Sequence, residues 1–166
     1  MGRDNPTNKE DAVGLDISYY RNLVPTEHAS NDDDALRPIV HPEFPGRTDG
    51  LDPNRWYIGE QVGDFRVGSH SGYNLWRDEL ARSVHGKSAS DLWEAGESDG
   101  PFMELINFSD CEGTIGPVVS AKLDKDFADW RERVAASGVD AYFMSRYDAW
   151  HEAFAVAAEN GAVDFH

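Results

Sequence analysis

Apolar residues recur at helical spacing in three stretches of this chain and form shorter runs or alternations elsewhere. From Ser71 to Val84 the stripe is Tyr73, Trp76, Leu80 and Val84, and Gly86 follows as a stop signal. From Pro117 the stripe is Val119, Leu123, Phe127, Trp130 and Val134, with proline at the first helical position and Gly138 beyond the end. Phe143, Tyr147, Trp150, Phe154 and Ala157 predict a third helix, from about Asp140 to Asn160, closed by Gly161. Leu15 to Tyr20 alternates and predicts a strand. Arg55 to Ile58 and Asp64 to Val67 predict two short strands, and Val163 to Phe165 a terminal one. Arg37 to Phe44 reads as an edge strand, because Pro38 and Pro42 cannot donate to a ladder. The apolar run Phe102 to Phe108 predicts a buried strand, and residues 87–100 a loop with one turn around Leu92 and Trp93. Strands and helices do not alternate regularly. The predicted class is α+β: one compact domain over residues 14–166, with a small, mostly antiparallel sheet packed against about three helices. Residues 1–13 are polar and read as a flexible leader.

Composition narrows the setting. The 166 residues include five Trp, enough bulky material for a core without disulfides or metals. No apolar run approaches the roughly 20 residues of a membrane span, and Met1 to Asp11 lacks the apolar part of a secretion signal. The lone cysteine, Cys111, suits a reducing compartment, so the expected location is the cytoplasm. The net charge of -16, from 31 acidic and 15 basic residues, argues against direct binding to nucleic acid or an anionic membrane. An acidic surface also suits a salty cytoplasm, or imitation of a nucleic-acid backbone toward a basic partner protein.

Candidate chemistry gathers at two glycine-rich junctions. Phe65 to Asn74 holds Gly68, Ser69, His70, Ser71 and Gly72 at a helix start, where unpaired N–H groups favour anions. Arg66 and Arg77 supply cationic partners and Tyr73 a stacking surface, whereas Trp76 fits the core face. The bland reading is a cap and a turn. The second junction, Asn107 to Pro117, sets Cys111 between Asp110 and Glu112. Those carboxylates cap the next helix, act as acid and base, or accept hydrogen bonds from a ligand. Cys111 with His70 makes a weaker nucleophile reading, since flanking carboxylates disfavour a thiolate. No histidine pair has zinc-ligand spacing, and Ile115 stands where a calcium loop needs glycine, so neither metal nor cofactor is expected. His166 has a role only if the tail is tied down.

Gly14-Leu-Asp-Ile-Ser18, Gly68 to Arg77, Glu104 to Gly116 (with Ser-Asp-Cys-Glu-Gly as the most specific block) and Gly161 to His166 resemble a group of small tailed-phage and prophage proteins. Members of that group start at Met-Gly-Leu-Asp-Ile, whereas thirteen residues precede Gly14 here. The resemblance implies a phage accessory role in the host cytoplasm and carries over no catalytic residue. Three functions stay open. One is a binder of a small polar or nucleotide-like ligand that counters host defence signalling, using Ser69, His70, Ser71, Tyr73, Arg77, Asp110 and Glu112. The second is a hydrolase or transferase using Asp110 or Glu112, assisted by His70 or Cys111. The third is an acidic inhibitor of a host protein.

Overall fold

A computed structural model describes residues 14–27, 35–109 and 112–166. The leader, the acidic run Asp32 to Asp34, and the candidates Asp110 and Cys111 lie outside the described residues. The strands are β1 (Gly14–Thr26), β2 (Trp56–Ser69), β3 (Gly113–Ile115) and β4 (Ala162–Phe165). They form one antiparallel sheet in the order β2-β1-β4-β3. The helices are α1 (His70–His85), α2 (Ala89–Glu94), α3 (Met103–Ile106), α4 (Pro117–Ala135) and α5 (Ala141–Ala157). The α+β expectation of one sheet and three long helices holds, with two short helices added.

The ends of the long helices follow local chemistry. Ser69 Oγ accepts the N–H of Gly72 at 3.1 Å, and Gly86 closes α1 in the left-handed region at φ 69°. Pro117 opens α4, and Asp140 Oδ1 accepts the N–H of Phe143 at 2.8 Å to start α5. One face of the sheet packs on these helices through Leu15, Ile17, Val163 and Phe165. Trp150 is the hub of the core. Its fully buried ring meets Phe65, Tyr73, Trp76, Phe154 and Phe165 at centroid distances of 5.1–6.1 Å. A satellite cluster of Leu23, Leu36, Leu51, Tyr57 and Ala162 lies beside it.

Three expectations are corrected. Residues 102–108 do not form a strand; they hold the single turn of α3. The buried apolar positions there are 102, 103, 105, 106 and 108, a spacing closer to helix than to alternation. Asp126 Oδ2 also accepts the N–H of Phe102 at 3.0 Å, and Phe102 sits at φ 62°, which breaks an extended run. Residues 37–44 form no strand and hold one isolated bridge, between His41 and Phe44, because Pro38 and Pro42 each withhold a donor. Finally, the two short strands at 55–58 and 64–67 are one strand. β2 runs through Gly59 and Gly63 by means of register shifts.

Gly161 sits hard against β1. A methyl group there would come within 1.8 Å of the carbonyl oxygen of Tyr20. At Gly46 the nearest atom would be Asp49 Oδ2, at 3.5 Å. Gly161→Ala is therefore expected to cost about 2–3 kcal/mol in urea unfolding, and Gly46→Ala under about 0.5 kcal/mol. Equal effects would remove the argument that β1 and the α5–β4 turn are packed backbone to backbone.

Candidate functional site

His70, Tyr73 and Arg77 are spaced three and four residues apart on α1, so they share one face. Opposite that face runs the segment Ile106 to Ser109. Its backbone has an unusual problem. α3 is one turn long, so its last carbonyls lack intrahelical partners, and residues 107–109 join no strand. Side chains from elsewhere take up four consecutive carbonyls. Arg77 Nη1 donates to Ile106 O, and Arg47 Nη2 donates to Asn107 O at 2.7 Å. Tyr73 OH donates to Phe108 O at 2.8 Å, and His70 Nε2 donates to Ser109 O at 2.9 Å. The His70 tautomer follows from its two partners. With the proton on Nε2, Nδ1 is left to accept from Asn74 Nδ2 at 3.4 Å.

The two predicted junctions therefore meet, but several candidate residues have other work. Tyr73 is fully buried, with its ring against Trp150 and Phe165, so it offers a ligand no face. Arg77 is buried too, and its second arm donates to Asn74 Oδ1 at 2.7 Å. Ser69 and Ser71 are exposed, but Ser69 Oγ caps α1 and lies 3.1 Å from Ser71 Oγ. The cap is thus Ser69, two residues earlier than Ser71. Arg66 lies on β2, 4.0 Å from Asp16, away from this face.

Beside the clamped segment, a cleft of about 280 Å³ opens between α2 and residues 106–109. Arg77, Asn107 and Ser109 form one side, and Ser90, Trp93 and Glu94 the other. Trp93 is half exposed and touches Phe44 edge-on at 5.7 Å. Its helix is locked in place. Ser88 Oγ accepts from Asp91 N at 3.0 Å, and Asp78 Oδ1 of α1 accepts from Ala89 N at 2.9 Å. Leu92 turns into the core, which leaves its neighbour Trp93 facing out. Neither Trp93 nor Asn107 stood among the predicted ligand contacts. The adjacent Leu92-Trp93 pair in a polar turn was the available signal, because one short helix cannot bury both.

Glu112 belongs to a different cleft, of about 390 Å³, with Ile39, Pro42, Phe108 and Thr114. Thr114 Oγ1 accepts from Ile39 N at 3.0 Å and donates to Asp164 Oδ1 at 3.1 Å. Burial pushes the Asp164 carboxyl up to about 6, with a smaller push from Glu112, against the opposing Thr114 hydrogen bond and His166. His166 is tied down. Its backbone exchanges two hydrogen bonds with Asp16, at 2.9 and 3.0 Å, and its Nε2 lies 2.8 Å from Ser18 Oγ. His151 pairs with Asp124 at 2.9 Å on the α4–α5 surface. Among the described residues, no group of three or more His, Cys, Asp or Glu side chains could hold a metal ion. Among the described residues, no helix is long and apolar enough to cross a membrane.

No family model matches this chain, and no curated protein or solved structure shows significant similarity to it. Any functional reading therefore rests on the site itself.

Two measurements probe this region. Tyr73→Phe leaves the buried Phe108 carbonyl without its donor and is expected to lower stability by about 1–3 kcal/mol in chemical denaturation. Asp164 gives a pH signature. Its folded carboxyl holds the proton more tightly than the ordinary value of 3.8 allows, so its contribution is present below about pH 4 and lost as pH rises through about 6. Asp164→Asn keeps an acceptor for Thr114 and is expected to gain on wild type by roughly 1–3 kcal/mol between pH 4 and pH 8. A stability difference that stays flat with pH rejects this assignment.

Proposed function

We propose that the protein binds a small, planar, polar molecule, with a nucleobase-like ring laid against Trp93 in the cleft between α2 and residues 106–109. One observation carries the reading: a half-exposed tryptophan forms the wall of a cleft whose other side is polar and rigidly held. The volume of about 280 Å³ suits a single ring system better than a whole dinucleotide.

Charge refines the ligand. The chain carries -16, Arg77 is buried against the Ile106 carbonyl, and the first turn of α1 is capped by its own serine. These features disfavour a polyphosphate and favour the base or nucleoside part of a ligand. In the phage setting that the sequence resembles, such a site would sequester a nucleotide-like defence signal of the host. The hydrolase reading draws less support, because His70 is engaged by Ser109 and Asn74, and Glu112 lines the other cleft.

Calorimetric titration with adenosine, guanosine, cytidine and uridine tests the proposal. At least one is expected to bind, and Trp93→Ala should weaken it about 5- to 150-fold, the range for losing one stacked base. That variant removes a half-exposed ring, so its melting temperature should change little. Binding that is indifferent to Trp93→Ala, or no binding to any of the four, counts against the site.

A further inference from the structure

We infer that Asn107 selects the ligand, its side-chain carbonyl accepting a hydrogen bond from an amino group on the ring held in the Trp93 cleft. This rests on the binding reading above and adds the class of ring to it.

Asn107 is 7% exposed. Three of its four polar groups are occupied. The backbone N–H donates to Met103 O at 2.9 Å, the backbone carbonyl accepts from Arg47, and Nδ2 donates to Glu97 O at 3.1 Å. The fourth group, Oδ1, has no hydrogen-bond partner among the described residues. A buried amide oxygen left in that condition is uncommon and asks for an explanation. The amide cannot simply be turned over, because that would set its oxygen against the Glu97 carbonyl. With Nδ2 committed to Glu97, Oδ1 lies on the opposite side of the amide.

Asn107 also lines two cavities at once. One is the Trp93 cleft; the other, of about 250 Å³, is bounded by Phe44, Ser98, Met103 and Val119. The edge contact between Phe44 and Trp93 joins the walls of these two cavities. So a ring stacked on Trp93 comes to rest beside a residue whose backbone is clamped on both sides. Among the described residues, its one polar atom with no partner at all is an acceptor. Oδ1 is sealed from bulk water in the ligand-free protein, so a ligand's donor would reach it through a small shift of the surrounding side chains while the clamped backbone stays in place. A ring bearing an amino group satisfies it. A ring that presents a carbonyl or a bare C–H there leaves it unpaired, and sites built this way discriminate strongly. The ligand class is an amino-substituted heteroaromatic ring of the adenine, guanine or cytosine kind.

Two ligand pairs that differ by a single amino group test this on the intact protein. They are adenosine against purine riboside, and guanosine against inosine. The expected result is a preference of about tenfold or more for the amino-bearing member of at least one pair. Asn107→Leu should abolish that preference while both members of the pair still bind. If both pairs bind equally and Trp93→Ala weakens all of them, the Asn107 assignment falls and the Trp93 site stands. If the preference persists in Asn107→Leu, the assignment also falls. If none of the four compounds binds, the site and the assignment fall together.

Discussion

The rest of the structure around the site depends on a short piece of backbone that no helix or strand completes. Ile106 to Ser109 leaves a one-turn helix and crosses the top of α1 with four carbonyls to satisfy. Arg77, Arg47, Tyr73 and His70 each take one. A buried amide group left unpaired costs about as much as a lost hydrogen bond, so these contacts decide where the segment can lie. Three donors come from one stripe of α1 and the fourth from the 3-10 turn Pro45–Thr48. The strip therefore behaves as an extension of α1. Phe108 adds an apolar anchor by stacking on Phe165 at 3.9 Å.

This arrangement gives the cleft its character. A binding wall works best when its own rotamers are fixed before the ligand arrives, because less ordering is left to do. One wall of the cleft is fixed by the clamped carbonyls. The other is fixed by the caps that Ser88 and Asp78 place on α2. His70, Tyr73 and Arg77, which first suggested a site, hold the framework of the cleft, and Trp93 and Asn107 join Arg77 in lining it.

Much of the fold was legible in the residues. The three long helices were marked by stripes with proper starts and stops, because proline, glycine and aspartate act locally. β1 and β4 showed through alternation. What failed was a judgement of period in an apolar run. Phe102 to Phe108 is rich enough to be a buried strand, but its fate was set by Asp126, a residue far along the chain that fixes Phe102. The site was legible only in part. The stripe His70, Tyr73, Arg77 was visible, yet nothing in it says whether its donors face a ligand or a main chain. The answer depends on the unmet carbonyls of residues 106–109, and a run taken for a strand hides them. Trp93 was passed over for a related reason: a six-residue helix is too short to show a stripe.

The order of strands carries a consequence for how the protein is made. β1 lies between β2 and β4, so its two neighbours come from opposite ends of the chain. The β1–β2 ribbon can close as soon as residue 69 has been synthesised. The contact between Ser18 and His166 spans 148 positions, and β3 has no partner until β4 arrives. During synthesis the inner edge of β1 therefore waits, unpaired, until residues 162–165 have been made. An unpaired edge with apolar neighbours invites association with other chains. The excess of Asp and Glu opposes such association, because copies of a chain with a net charge of -16 repel one another.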